Sequence, residues 1–295
     1  MLTGNEKFSQ KERLGILTNK RILYVGAGSM AEGMIAGMNG SDSMHHEQIY
    51  VTNRTNSERL CELQERYAIT GIPQAEVDWS SMDIIILAMK PKDLTASLID
   101  LQDKVQEGQL IISVAAGIQN EQIEHYLPEN QPVVRIMPNT SSTIGESATA
   151  IAPGTHVSVE QLTLVTELVK TFGEAFVIAE EQMDVFTGMA GSGPAYFYKL
   201  MEHFEETGVA AGFDRDTARK IGTQTMLGAA RMLEETEEEP AILRKNVTSP
   251  NGTTAAGLDA LNDAGAGEAM TKAILSAAER SNEISEELKK QLLTR

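Results

Sequence analysis

Residues 21–31 read RILYVGAGSMA, an apolar strand that runs directly into a glycine-rich turn and the start of a helix. Gly26 permits a tight turn after the strand, Gly28 lets the backbone approach a pyrophosphate, and Ala31 is small enough for the helix to pack on a sheet. The dipole of the new helix then faces the anion. The stretch predicts a dinucleotide-binding Rossmann-type fold, with contacts from Gly26, Ala27, Gly28, Ser29, Met30 and Ala31.

The end of the second predicted strand, residues 49–52, indicates which dinucleotide binds. Asn53, Arg54 and Thr55 follow it, where NAD-binding proteins usually carry Asp or Glu for the ribose 2′-hydroxyl. An arginine suits a 2′-phosphate, so the pattern favours NADPH, with NADH as the alternative. A glycine-rich turn also occurs in α/β proteins that bind no nucleotide, and a solvated Arg54 is equally ordinary, so the turn alone does not decide the matter.

Composition excludes some partners. The 25 Lys and Arg residues against 42 Asp and Glu give a formal net charge of −17, so the overall field repels nucleic acid and anionic membranes. No apolar run approaches the roughly 20 residues that span a bilayer. We expect no nucleic-acid or membrane partner and a cytoplasmic location. The single cysteine, Cys61, fits a reducing compartment and is expected to be a buried thiol on a helix.

Residues 21–178 alternate short apolar runs with helical periodicity, as parallel strands joined by crossover helices do. The run DIIILAM at 83–89 is apolar enough for a strand covered on both faces of a doubly wound sheet. The predicted strands span residues 22–25, 49–52, 84–88, 110–114, 133–136, 148–151 and 175–177. The predicted helices span residues 30–38, 57–67, 94–101, 120–126 and 159–172.

Residues 179–295 differ, because long segments rich in Ala, Leu, Met and Glu replace the β-branched runs. This predicts an all-α C-terminal domain, with helices over residues 183–211, 215–235, 240–245, 253–264 and 268–288. Since the pattern shows little sign of a closed core, we expect a second copy to complete it as a homodimer. Residues 1–20 precede the first strand and form an N-terminal extension to which we assign no function.

Ligands of doubly wound sheets bind at the carboxyl ends of the strands. There, Lys90 suits a phosphate or a ribose, the small pair Ala115 and Ala116 lets a cofactor lie against the backbone, and Asn139 can donate and accept at the nicotinamide. Each residue also has an ordinary explanation as turn chemistry. Their shared location is what makes them candidates.

Two segments of the helical domain depart from its pattern. Residues 188–196, GMAGSGPAY, place glycines and a proline where a helix should run, at about 1 kcal/mol per Gly and about 3 kcal/mol for Pro relative to Ala. Close approach of backbones, to a helix or to a ligand, would explain that cost. Residues 246–254, NVTSPNGTT, enter a helix with hydroxyl groups and a glycine N–H. They suit a small carboxylate, while a plain N-cap is the alternative.

The histidines show no metal-ligand spacing, and no Cys–His or Gly-x-Ser-x-Gly nucleophile pattern occurs in the sequence. We therefore expect no metal site. Because the sequence offers few candidate acid–base groups, we expect a cofactor to supply most of the chemistry and the protein to position both reactants.

The segments VGAGSMA, AMKP, SVAAGI, RIMPNT, GMAGSGPAY and NVTSPNGTTAAGL together resemble pyrroline-5-carboxylate reductases, from residue 21 to about residue 288. The resemblance implies hydride transfer from NADPH or NADH to the imine carbon of 1-pyrroline-5-carboxylate, which gives L-proline in the last step of proline biosynthesis. It also implies a homodimer formed through the helical domain, which some members assemble into larger rings of dimers.

The resemblance assigns roles by position. Asn246 would line the substrate pocket, and Thr254 would be the catalytic residue, a proton relay at the ring nitrogen. The loop would both cap its helix and hold the carboxylate. The implied carboxylate contacts are Ser249, Gly252, Thr253 and Thr254. The implied cofactor contacts, beyond the glycine turn, are Asn53, Arg54, Thr55, Ala88, Met89, Lys90, Pro91, Ala115, Ala116 and Asn139.

Two rival functions remain open at this point. A β-hydroxyacid dehydrogenase would need a catalytic lysine four residues after its Gly-x-Gly, but that position, after Gly193, is Phe197, and Lys199 comes too late. A regulator that senses NADP(H) without turnover is disfavoured by the complete substrate loop.

Overall fold

The computed structural model describes residues 15–293, so residues 1–14 of the predicted extension lie outside the described residues. The chain divides into two compact units. The first comprises the described residues up to Gly191 together with those from Ala277 onward, and the second is Ser192–Ser276. The predicted boundary between residues 178 and 179 rests on the change in sequence composition there, and it stays a prediction.

The first unit is built on an eight-stranded sheet with the order β3-β2-β1-β4-β5-β6-β7-β8. Its strands are β1 Ile22–Val25, β2 Ile49–Thr52, β3 Thr70–Gly71, β4 Ile84–Leu87, β5 Leu110–Ser113, β6 Val133–Met137, β7 Ser147–Pro153 and β8 Gly173–Val177. All neighbouring strands are parallel except β6 and β7. The predicted doubly wound sheet is confirmed. Strand β3, with the sequence TG, was not predicted because it has no apolar run.

Helices cover both faces of this sheet. They are α1 Ser29–Asn39, α2 Ser57–Tyr67, α3 Pro91–Leu101, α4 Asn120–Glu124 and α5 Val159–Lys170. Ile84 and Ile86 pack into one core cluster and Ile85 and Leu87 into another, because successive strand residues point to opposite faces. The prediction that the strand at 83–89 is covered on both faces is therefore confirmed.

Cys61 corrects one expectation. It lies on helix α2, as predicted, but its side chain is exposed. The buried face of α2 is formed by Leu60 and Leu63 instead, three residues apart and hence on one side of the helix.

The predicted helix over residues 183–211 is divided into three pieces. These are α6 Met183–Phe186, a π-helical turn Thr187–Gly191, and α7 Gly193–Ala210. Pro194 lies in the first turn of α7, where its missing N–H is harmless. The glycines that interrupt the helical sequence pattern thus lie where the chain changes from an α-helix to a π-helical turn and back. Such π-helical turns are frequent at functional sites.

The remaining helices are α8 Arg215–Thr236, α9 Pro240–Asn246, α10 Thr253–Asp263 and α11 Ala266–Leu293. The all-α C-terminal region is confirmed. Helices α7 and α8 approach closely through small residues, since a Cβ on Gly208 would come within 2.8 Å of the Ala218 Cβ. The C-terminal part of α11 packs in the first unit, where Ser281 donates to Asp184 at 2.7 Å.

The second unit buries little of its apolar surface. Within residues 192–276, only Gly193, Ala218 and Gly222 are buried. Four of its five Phe and Tyr side chains are exposed to solvent in the isolated chain, namely Phe197, Tyr198, Phe204 and Phe213. An apolar surface of this kind is typical of a protein–protein interface.

Among the described residues, no helix is long and apolar enough to cross a membrane. The same part of the chain contains no cluster of His, Cys, Asp or Glu side chains that could hold a metal ion.

Candidate cofactor and substrate sites

The glycine turn between β1 and α1 is held in place by the sheet. The Gly26 N–H donates to the Thr52 carbonyl at 2.8 Å. Gly26 has a φ of +117°, and a Cβ on it would collide with the Ala88 carbonyl, so no other residue fits there. A Cβ on Gly28, by contrast, would meet nothing within 4 Å. Packing does not require glycine at position 28, and the open space beside it fits a ligand that lies against the backbone.

Helix α1 presents an uncapped N-terminus at this turn. Its N-cap is Gly28, and no side chain caps the helix. The first N–H groups of a helix have no partner within the helix, and together with the helix dipole they favour an anion. The local structure therefore suits the pyrophosphate of a dinucleotide.

The described residues reveal a polar clamp on this turn that the sequence did not predict. Arg59 on α2 donates from Nε to the Ala27 carbonyl at 3.1 Å and forms an ion pair with Glu32 of α1. Arg66 also pairs with Glu32, and the Tyr67 hydroxyl donates to it at 3.1 Å. The clamp thus ties α2 to both the turn and α1. Its residues are ordinary polar-face positions of an amphipathic helix, so the sequence carried no signal for them.

The clamp also sets the ionisation of Glu32. Burial by itself raises the pKa of this carboxyl, but hydrogen bonds from Arg59 and Tyr67 and the charges of Arg59 and Arg66 outweigh burial. The net result is a pKa below the usual 4.5 of a glutamate. Glu32 lies in the first turn of α1, where an unpaired carboxylate would repel an anionic ligand. Its two arginine partners offset that charge.

A cleft of about 550 Å³ lies beside the turn. Four predicted cofactor residues, Gly26, Asn53, Arg54 and Met89, line it together. The sequence missed its other walls, which include Gln74, Ala75, Ala96 and Ser97. These residues lie after β3 and on α3, at a distance from the glycine motif along the chain. The volume is within the usual range for small-molecule sites.

The loop after β2 gives its residues separate roles. The Asn53 side chain folds the loop, since its amide donates to the Asn56 carbonyl at 2.7 Å and accepts from the Asn56 N–H at 2.8 Å. Thr55 is exposed. Arg54 extends over the cleft rim, 66% exposed and 3.7 Å from Asp93. Of the three, Arg54 alone brings a charged group to the cleft, and its contact with a 2′-phosphate stays a prediction.

The other predicted strand-end residues lie at the carboxyl ends of β4 and β5. The Ala88 N–H donates to the Val25 carbonyl at 2.9 Å, Lys90 is exposed, and Pro91 is the first residue of α3. After β5, Ala115 is buried and Ala116 is exposed. None of these residues belongs to the lining of the cleft, so their cofactor contacts stay predictions.

Asn139, at the end of β6, is already engaged by the protein. Its Oδ1 accepts from the Ser141 N–H and its Nδ2 donates to the Ala190 carbonyl, both at 3.0 Å. The side chain is buried. Asn139 therefore anchors the π-helical turn Thr187–Gly191 to the edge of the sheet, and its predicted contact with the nicotinamide would use its remaining hydrogen-bonding capacity.

The predicted substrate loop connects α9 to α10. Asn246 is the last residue of α9, and α10 begins at Thr253. Asn251 adopts a left-handed φ of +59°, and the Gly252 N–H donates to the Ser249 carbonyl at 3.0 Å. A Cβ on Gly252 would collide with the Ser249 hydroxyl. The loop is therefore a tight turn in which a side chain at position 252 would force the Ser249 hydroxyl to move.

The capping role expected for this loop is wrong. The N-cap of α10 is Gly252, and no side chain caps the helix. The hydroxyls of Ser249, Thr253 and Thr254 are thus not used for capping, and the first N–H groups of α10 are open to a ligand. Thr254 is half-buried, whereas Ser249 and Thr253 are exposed. This local structure fits a small carboxylate.

Comparisons with known families match both parts of the chain. Residues 21–117 match the family model "NADP oxidoreductase coenzyme F420-dependent". Residues 180–284 match the model "Pyrroline-5-carboxylate reductase dimerisation", which supports an oligomer.

Individual relatives extend the match over nearly the whole chain. Pyrroline-5-carboxylate reductase 1 of Bacillus subtilis is 55% identical over 95% of this chain and 94% of its own. A solved pyrroline-5-carboxylate reductase from Coxiella burnetii has a TM-score of 0.83 and is 31% identical, covering 91% of this chain and 99% of its own. The Plasmodium falciparum pyrroline carboxylate reductase with NADP bound has a TM-score of 0.80 at 24% identity and covers 90% of this chain and 98% of its own. This likeness shows the shared fold. The chain belongs to the pyrroline-5-carboxylate reductase family.

Proposed function

We propose that this chain reduces 1-pyrroline-5-carboxylate to L-proline with NADPH, the last step of proline biosynthesis. The observation that carries the proposal is the loop 246–254, which enters a helix with no side-chain cap in a chain 55% identical to a named reductase of this kind. The loop offers N–H groups and hydroxyls to the carboxylate that this substrate carries.

The cofactor site is supported by the cleft beside the glycine turn. The open space at Gly28 and the uncapped start of α1 suit the pyrophosphate, and Arg54 on the cleft rim suits the 2′-phosphate. NADPH is thus the favoured cofactor and NADH the alternative. When bound, the nicotinamide supplies the hydride.

The protein's own task is to hold and orient the substrate. We assign the carboxylate to the hydroxyls and N–H groups of Ser249, Gly252, Thr253 and Thr254, and the pocket wall to Asn246. A protonated cyclic imine is a strong electrophile, so its reduction needs orientation, with reacting atoms about 3–3.5 Å apart, more than a dedicated base. Thr254 is assigned to the ring nitrogen, where its hydroxyl would relay the proton.

The oligomer is proposed to be a homodimer formed through residues 179–295. The apolar side chains that the second unit leaves exposed and the dimerisation family model over 180–284 support it. Light scattering at micromolar concentration would detect the dimer, or a larger ring of dimers, and a stable monomer would contradict the proposal. The cytoplasmic location stays a prediction from the single cysteine.

The activity is tested by following NADPH oxidation through the loss of absorbance of the reduced nicotinamide. We expect turnover with 1-pyrroline-5-carboxylate and none, in the reverse assay, with 3-hydroxy acids and NADP. Tight NADPH binding without turnover of the imine would instead identify a nucleotide sensor. Turnover of 3-hydroxy acids would favour the dehydrogenase rival, although Lys199 is exposed and pairs with Glu202 at 2.8 Å.

A further inference from the structure

Arg54 is not alone at the rim of the cofactor cleft. The carboxylate of Asp93, in the first turn of α3, lies 3.7 Å from the Arg54 guanidinium. Both side chains line the cleft, and both retain solvent access, at 66% and 39% exposure. The group expected to recognise a 2′-phosphate therefore already has an anionic partner inside the site.

We propose that Asp93 is a specificity-determining residue that limits the preference of this chain for NADPH over NADH. The inference rests on the proposed cofactor site. A 2′-phosphate that binds Arg54 must compete with Asp93 for the guanidinium and lies close to the negative charge of Asp93. A ribose 2′-hydroxyl carries no charge and can donate a hydrogen bond to the same carboxylate. Asp93 thus opposes one cofactor and assists the other.

The second carboxylate of the cleft, Asp100, is in a different situation. Lys104 donates to it at 2.6 Å and Gln74 donates to it at 3.1 Å. Its charge is offset by a lysine that also lies 5.3 Å from the centre of the Trp79 ring. Asp93 is the carboxylate that shares its partner with the cofactor, and we therefore assign the selectivity to it.

Asp93 also has a structural role that must be separated from recognition. A carboxylate in the first turn of a helix interacts favourably with the helix dipole. Loss of that interaction would weaken α3, but it would affect the two cofactors equally. The ratio of the two affinities, rather than either affinity alone, isolates recognition from helix stability.

The test uses two fragments of the cofactors, adenosine 2′,5′-bisphosphate and AMP, with affinities measured by calorimetry on the full chain. In Asp93→Asn, we expect the ratio of affinities, bisphosphate over AMP, to rise about two- to fivefold, the range set by an exposed ion pair. Asp93→Glu keeps the charge and should keep a ratio close to that of the wild type. Asp103→Asn makes the same charge change outside the cleft lining and serves as the matched control.

Each outcome decides a separate point. An unchanged ratio in Asp93→Asn, or an equal rise in Asp103→Asn, would overturn the role of Asp93 and leave the proposed function intact. A wild-type chain that binds neither fragment would overturn the cofactor site, and this inference with it. A rise confined to Asp93→Asn would establish the inference without any measurement of turnover.

Discussion

The two ligand sites proposed for this chain begin with the same local structure and differ in what supports it. The N-cap of helix α1 is Gly28, with φ −79° and ψ −179°, and the N-cap of helix α10 is Gly252, with φ −83° and ψ 176°. Neither helix has a side-chain cap. Each site therefore offers first-turn N–H groups to an anion, a pyrophosphate in one case and a carboxylate in the other.

The hydrogen bonds that hold the two turns in place span different distances along the chain. The turn before α1 is bonded to the Thr52 carbonyl and, through Ala27, to Arg59. Among the described residues, the hydrogen bonds of loop 247–252 join positions no more than four apart, such as Thr248 to Lys245 and Gly252 to Ser249. The cofactor turn is thus part of a folded core, whereas the substrate loop is supported by short-range bonds. Substitutions in the cofactor turn should therefore lower the unfolding free energy, whereas substitutions in the substrate loop should lower catalytic activity alone.

The largest expected effect is that of Gly26→Ala. The new Cβ would collide with the Ala88 carbonyl at a φ of +117°, and left-handed strain and overpacking together cost about 3–4 kcal/mol of unfolding free energy. Urea unfolding measures this loss.

Gly28→Ala is the matched control. Its Cβ meets nothing within 4 Å, so we expect a loss of about 1 kcal/mol or less together with at least about tenfold weaker NADPH binding. Equal destabilisation by both would contradict the separation of fold from ligand contact.

The clamp on the cofactor turn predicts the next effect. Arg59→Gln removes the charged donor to the Ala27 carbonyl. It also removes one of the two arginine partners of Glu32, so the negative charge of Glu32 beside the pyrophosphate site is less well offset. We expect the KM for NADPH to rise about tenfold, which corresponds to about 1.4 kcal/mol, with little change in kcat. Arg66→Gln also removes a partner of Glu32 but leaves the Ala27 bond, and it should change KM much less. An equal KM in both variants would mean that the hydrogen bond from Arg59 to Ala27 contributes nothing to NADPH affinity.

The substrate loop predicts a different response. Thr254→Ala should lower kcat/KM for the imine about five- to tenfold, the range for loss of a neutral hydrogen bond, without changing NADPH affinity or the unfolding free energy. Thr254→Ser keeps the hydroxyl and should retain most of the activity. A fall in stability comparable with that of Gly26→Ala would show that the loop is as integral to the fold as the cofactor turn.

The contrast also explains what the sequence could predict. The strands at Ile84–Leu87 and Ile22–Val25 were predictable because a strand that is buried on both faces has a continuous run of apolar residues. The ligand contact of Gly28 stays a prediction, but the glycine turn was predictable because the backbone geometry requires Gly26. Arg59, Asp93 and Gln74 were not, because long-range contacts of polar surface residues leave no periodic signal. For loop 246–254, the residues alone left a carboxylate site and a plain N-cap as alternatives, and the family resemblance favoured the carboxylate. The N-cap at Gly252 shows that the hydroxyls of the loop do not cap the helix.

The smallest effect predicted is on pH dependence, and it arises at the cofactor turn, since residues 246–254 contain no ionisable side chain. The pKa of Glu32 is lowered below the usual 4.5 because the hydrogen bonds and charges of its arginine and tyrosine partners outweigh burial. A lowered folded-state pKa contributes stability above the unfolded-state pKa, and that contribution is lost as the pH falls through the folded-state value. The unfolding free energy of the wild type should therefore fall more steeply below about pH 4.5 than that of Glu32→Gln, which cannot titrate there. Urea titrations at a series of acidic pH values would show two converging curves, and parallel curves would mean that Glu32 contributes nothing to acid sensitivity.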